Sequence, residues 1–98
     1  MKHLAFEWDD GKNTLNKRKH RISFEEALTV FADDKALLLP DPDHSTEEDR
    51  FILMVFSASL RMLVVCHCYR RSEDIIRIIS ARKATKFERA DYTKRWKK

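Results

Sequence analysis

Two arginines and a lysine–histidine pair stand out by type and position. Arg77 and Arg82 interrupt and close an apolar run, IIRIISAR, and Lys19-His20 ends a basic stretch of Lys12, Lys17, Arg18, Lys19 and Arg21 that contains no acid. A guanidinium offers paired donors matched to phosphate oxygens. Its charge is costly to bury without a partner, so Arg77 among isoleucines is either part of a phosphate clamp or held by a structural salt bridge or at a sheet edge. Arg82, Lys83 and Lys86 would extend a cationic rim at the end of that strand and over the first turn of a helix, where free amides also favour anions. Positive neighbours lower the proton affinity of His20, and an imidazole poised near neutrality can serve as general acid or base. The plain alternative is a surface histidine at a helix end. Lys19 and Tyr92 are further candidates for phosphate binding or proton transfer. His3 and His44 read as terminal and loop residues, and no Ser-His-Asp order or phosphate loop is present.

The Cys66-His67-Cys68 run is the only pattern suggestive of a metal. Strand alternation sends His67 to the opposite face from both thiols, and no second cysteine pair exists, so neither a metal nor a cofactor is expected. A disulfide between residues two apart on one strand would be strained, and free, packed thiols fit a reducing, cytoplasmic compartment.

These residues need elements to hold them. Leu4, Phe6 and Trp8 alternate with Ala5, Glu7 and Asp9 as a short half-buried strand would. Asp9 or Asp10 can cap a helix over residues 12–20, which has only Leu15 as an apolar residue and so lies on the surface with a basic face. Ser23 and Glu26 spell a capping box, and Phe24, Ala27, Leu28 and Phe31 form one apolar stripe on a helix ending near Ala32. Strands follow at residues 36–39, 51–56, 60–69 and 75–81, joined by turns too short for parallel crossovers, hence an antiparallel meander. Thr85 and Glu88 form a second capping box that opens a helix through Phe87 and Tyr92. In the last strand, alternation points Ile76, Ile78, Ser80 and Arg82 one way, and Ile75, Arg77, Ile79 and Ala81 the other. An odd-with-odd register would bring His67 beside Arg77, and a slip of one residue would separate them. The class is α+β: one domain over residues 1–98, an antiparallel sheet of three to four meander strands plus an N-terminal strand, packed with two N-terminal helices and one C-terminal helix.

Composition agrees with a folded globular chain. The 98 residues are 43% hydrophobic and 37% charged, which is too apolar for disorder, and no apolar stretch approaches the ~20 residues of a membrane span. Net charge is +4, with an acidic stretch at residues 41–49 between basic segments at 12–21 and 82–98. A cationic side of this kind attracts phosphates or an acidic partner, although an ordinary solvated surface carries the same pattern.

The segments FEWDDGKNTLNKRKHRISFEEALTVF, PDPDHSTEEDRFILM and RIISARKATKFERADY, taken together, resemble the BrnT family of toxins from type II toxin–antitoxin systems, from about residue 5 to 92. The resemblance covers Trp8, Lys12, Lys19, His20, Arg77, Arg82 and Tyr92 as motif positions. It departs at Lys19-His20-Arg21, where the family pattern has Lys-His-Gly. It implies a fold similar to the RelE ribonuclease toxins and an RNA-cleaving activity. It also implies a cognate ribbon-helix-helix, BrnA-like antitoxin through which alone the pair reaches operator DNA. On that footing metal-independent RNA cleavage is expected, inhibiting translation and growth. His20, Lys19 or His67 would transfer protons, Arg77 and Arg82 would stabilise phosphate, Tyr92 would support them, and Lys12, Lys83 and Lys86 would bind RNA. The rival expectations are a module that binds nucleic acid or antitoxin without cutting, and a partner that only locks onto its antitoxin.

Overall fold

β1 (Ala5–Glu7) is followed by α1 (Asp10–His20), α2 (Phe24–Leu28) running into a 3-10 turn (Thr29–Ala32), β2 (Leu37–Pro40), β3 (Phe51–Phe56), β4 (Met62–Arg70), β5 (Ile75–Lys83) and α3 (Lys86–Trp96) in the computed structural model. It describes residues 5–33, 35–41, 49–57, 61–70 and 74–96, so His3, His44 and most of the acidic stretch lie outside the described residues. The sheet order is β1-β5-β4-β3-β2. β2 to β5 form the expected antiparallel meander, while β1 joins the other side of β5 in parallel, which makes the sheet mixed. Pro40 sits in edge strand β2, where a missing N–H costs no ladder bond on the solvent side.

One face of the sheet carries Leu53, Val55, Leu63, Val65, Ile78 and Ala81, packed with Ile22, Phe24, Ala27 and Val30 in one buried cluster. The stripe expected on a single long helix is divided. Five residues are α-helical and the next four are 3-10. At three residues per turn, Val30 stacks below Ala27 and both are fully buried, while Phe31 is only partly buried and meets Phe6 and His67 with its ring. Ser23 Oγ caps α2 by accepting from Glu26 N at 3.0 Å, but the Glu26 carboxylate does not complete the box. It accepts instead from Ser57 Oγ at 2.7 Å and from the Arg61 guanidinium, tying α2 to the start of β4.

The first helix has no apolar face to bury. Asp9 caps it, accepting from Lys12 N at 2.9 Å, and Leu15 is 62% exposed. What docks α1 is a pair of buried amides one turn apart. Asn13 Oδ1 accepts from Phe24 N at 2.9 Å and its Nδ2 donates to Glu25. Asn16 Nδ2 donates to Ala81 O at 2.8 Å and to Ile22 O at 2.9 Å, and its Oδ1 accepts from Ala81 N at 3.1 Å. β1 pairs with β5 only as far as Arg77, so the edge of β5 beyond that point would be unpaired, and Asn16 fills it as a one-residue strand would. The chain leaves α1 through Arg21, which takes the left-handed conformation (φ 62°, ψ 30°) natural to glycine and donates its N–H to Lys17 O at 3.0 Å.

Two stability outcomes follow from this docking. Asn16→Ala strands three buried backbone partners and lowers unfolding free energy by about 3 kcal/mol, whereas Leu15→Ala changes it by no more than ~0.5 kcal/mol, both read from urea unfolding. Arg21→Gly relieves the left-handed strain, less the glycine entropy cost, and raises stability by roughly 0.5–1 kcal/mol.

Candidate active site

α1 and β5 enclose an open groove of about 530 Å³ whose walls are Lys12, Leu15, Asn16, Arg18, Lys19, His20 and Ile79. Helical spacing makes this possible, since Lys12, Asn16 and Lys19 follow each other along one side of α1. Asn16 anchors that side to β5, so the cations above and below it are fixed against the strand. Lys17, Arg18, Lys19 and His20 in the last turn are favoured there by the negative end of the helix dipole. Partial burial, then the charge of Lys19, then that of Arg82 push the His20 pKa below 6.5, so the imidazole is largely neutral near pH 7.

Ile79 is where β5 departs from regular pairing. Cys66 faces Ser80, but His67 faces Ile78 and Cys68 faces Arg77, so Ile79 is an extra residue in a bulge. Because Cys66 and Cys68 share one face of β4, their partners Ser80 and Arg77 share a face of β5. Alternation without a bulge had put Arg77 and Arg82 on opposite faces; the bulge puts them on the same one. It also turns Ile79 into the wall between the groove and a second pocket of about 180 Å³ on that face, which holds Asp41, Arg50, Cys66, Ser80 and Arg82.

Arg82 is held at the junction. Its Nη1 and Nη2 donate to Glu88 Oε1 and Oε2 at 2.7 and 2.9 Å, a two-pronged pair between β5 and α3. Glu88 also completes the α3 capping box, accepting from Thr85 N at 2.8 Å while donating its own N–H to Thr85 Oγ1 at 3.1 Å. The Arg82 guanidinium first, aided by the Thr85 amide and against the cost of burial, holds the Glu88 carboxyl down to about 2. The same pair raises the Arg82 pKa.

The other expected site residues are dispersed. Arg77 donates to Glu7 Oε2 at 2.7 Å, the salt-bridge alternative, with Arg70 3.8 Å from the same oxygen. It lies on the β1 end of β5, roughly 15 Å along the strand from Arg82 at ~3.3 Å per residue. His67 does not meet Arg77, because the slipped register sends the two to opposite faces. Its ring is fully buried against Phe31, Phe51 and Tyr69, with Nε2 3.2 Å from Tyr69 Oη, and burial lowers its pKa. Tyr92 is buried as well: its hydroxyl donates to Lys35 O at 2.9 Å and its ring meets Phe56 edge-on, away from the groove. Lys83 and Lys86 are exposed, and Lys83 lines a separate cavity with Arg61 and Arg89. Phe87, inside the expected C-terminal helix, is 84% exposed. The groove thus gathers Lys12, Lys19 and His20, with Arg82 within electrostatic reach.

Sequence reasoning missed Asn13, Asn16, the clamp by Glu88 and the pocket residues Asp41 and Arg50. A signal existed for the first two: asparagines favour caps and turns, and two of them one turn apart in a helix without an apolar stripe suggest docking by amides.

Residues 8–88 match the family model described as "Ribonuclease toxin, BrnT, of type II toxin-antitoxin system". Among solved structures the chain is similar to the Brucella abortus ribonuclease toxin BrnT, with a TM-score of 0.65 and 21% identity over 85% of this chain and 99% of that one. No curated protein matches.

The depressed Glu88 carboxyl gives the clamp a pH signature. Below its ordinary value of 4.5 the unfolded chain takes up a proton that the folded chain refuses until about pH 2. The stabilisation is therefore complete above pH 4.5 and is lost as pH falls toward 2. Unfolding curves of the wild type and Glu88→Gln should differ most above pH 5 and converge on acidification.

Proposed function

The chain belongs to the BrnT family, the ribonuclease toxins of type II toxin–antitoxin systems, and from that premise we propose that the α1–β5 groove cuts RNA without a metal ion. The 2′-hydroxyl of a bound nucleotide attacks its own 3′-phosphorus. Neutral His20 takes the hydroxyl proton, and the Lys19 ammonium gives a proton to the departing 5′-oxygen. Arg82, its orientation fixed by Glu88, balances the charge that builds on the phosphate oxygens. The products are a 2′,3′-cyclic phosphate and a free 5′-hydroxyl. Lys12, Lys83 and Lys86 bind flanking phosphates, and Arg77, at the far end of the same face, meets the backbone further along. His67 and Tyr92 act by holding the scaffold.

The observation that carries this reading is a histidine kept neutral beside a lysine in one open basic groove, within the field of a glutamate-fixed arginine in the adjoining pocket. An acid or base contributes typically ~10²–10⁴-fold and a preorganised donor ~10²–10³-fold, so a site this small has enough means. In the cell, cytoplasmic RNA cleavage would stop translation and growth. A ribbon-helix-helix, BrnA-like antitoxin would neutralise it by covering the groove, and would carry the pair to operator DNA. The second reading, a module that binds RNA or antitoxin without cutting, draws on the commitment of both Arg82 prongs to Glu88.

Incubation of labelled RNA with the protein in excess EDTA separates the two. Cleavage leaving cyclic phosphate ends is expected, slowed ~10²–10⁴-fold by His20→Ala and ~10²-fold or more by Arg82→Ala. Products with 3′-hydroxyl ends that require Mg²⁺ would overturn the mechanism, and binding without cleavage would favour the module.

A further inference from the structure

The pocket beyond the Ile79 bulge has walls and polar groups of its own that the cleavage chemistry does not use. Ile52, Val64 and Ile79 give it apolar sides, and Asp41, Arg50 and Ser80 bring a carboxylate, a guanidinium and a hydroxyl to one small space. Its volume, about 180 Å³, is below the ~300 Å³ at which pockets for drug-sized ligands begin, so it suits one flat heterocycle the size of a nucleobase. It shares Ile79 with the α1 groove and has Arg82 in its wall, so a ring seated there adjoins any phosphate bound at Arg82.

We infer that this pocket is a base-recognition subsite that selects guanine in the nucleotide next to the cleaved bond, an inference that rests on the groove being an RNA-cleaving site. Single-stranded RNA is read through the edges of unstacked bases. Of the four bases, guanine alone presents two adjacent donors, N1–H and the 2-amino group, to a carboxylate such as Asp41. Its O6 and N7 are the acceptors that a guanidinium reads, and Arg50 supplies one. Adenine and cytosine put a ring acceptor beside their amino group, which a carboxylate repels, and uracil flanks its one donor with two carbonyls. Asp41 is held in place from two sides: its N–H donates to Arg50 O at 2.9 Å, and the Cys66 thiol donates to its Oδ2 at 3.7 Å. Burial, and then the Asp41 charge, push that thiol up to about 11, so it remains a donor throughout the physiological range.

Four RNA oligonucleotides identical except for one base in an otherwise uncleaved context provide the test. Cleavage beside guanine is expected to be about tenfold or more faster than beside the other three, the range of one paired base contact. Asp41→Asn should bring that ratio to within about threefold. Equal rates on all four, or a preference that survives Asp41→Asn, would overturn the inference while leaving the groove as the cleavage site. Absence of cleavage on any oligonucleotide would instead sink the functional reading. Guanosine 3′-monophosphate and adenosine 3′-monophosphate, titrated into the wild-type protein, then decide the pocket independently. Shifts of the Cys66 and Ser80 amides at lower guanosine concentration support it, and equal or no shifts there contradict it.

Discussion

A single side-chain amide against an open strand edge sets the geometry of this protein. α1 brings almost no grease to its own docking, and β1 covers β5 only through Arg77, so two incomplete elements meet: a helix without an apolar face and a strand edge without a partner. Asn16 answers both needs at Ala81, and Asn13 secures the other flank at the start of α2. The arrangement is stringent in a way that apolar packing is not. An amide must present donor and acceptor in register with one peptide, and buried backbone groups left unpaired cost more than a lost methylene. Basic residues on the same helix side thereby acquire fixed places relative to β5, although none of them is itself buried.

The second fixed point lies across the strand. Arg82 could sample many rotamers at the end of β5, but the paired oxygens of Glu88 hold its plane, and Glu88 is held in turn by the first turn of α3. The bulge at Ile79 then brings the helix groove and the sheet-face pocket to a common wall. Two polar locks, Asn16 on β5 and Arg82 on Glu88, thus fix helix, strand and C-terminal helix around an open cationic groove, the one proposed above to receive a phosphodiester.

Much of this was legible in the residues. Alternation and short turns were enough for the meander, Thr85 and Glu88 for the start of α3, and the isolation of Leu15 for a helix lying on the surface. Failures came where a rule of regular geometry met an exception. Alternation assumes an unbroken pleat, so a bulge at Ile79 exchanged the face assigned to Arg77 and removed the pairing considered for His67. Helical periodicity assumes 3.6 residues per turn, so the tightening after Leu28 moved the deepest position from Phe31 to Val30. Tyr92 and His67 are reactive types by composition, yet their polar atoms are already engaged inside the core, which one-dimensional spacing cannot reveal. Arg21 is the instructive departure: the αL position was marked by the glycine of the family pattern, and the backbone keeps that conformation with an arginine in it.

The central claim is that RNA lies along the α1–β5 groove with a phosphate between His20 and Arg82. Side-chain NMR of the protein titrated with a fully 2′-O-methylated RNA, which binds but cannot be cut, tests it most directly. The expected result is saturable movement of the His20 ring and Arg82 Nε resonances, with the buried His67 ring unmoved. Movement confined to Arg77 and the β1 end, with His20 and Arg82 silent, would contradict it.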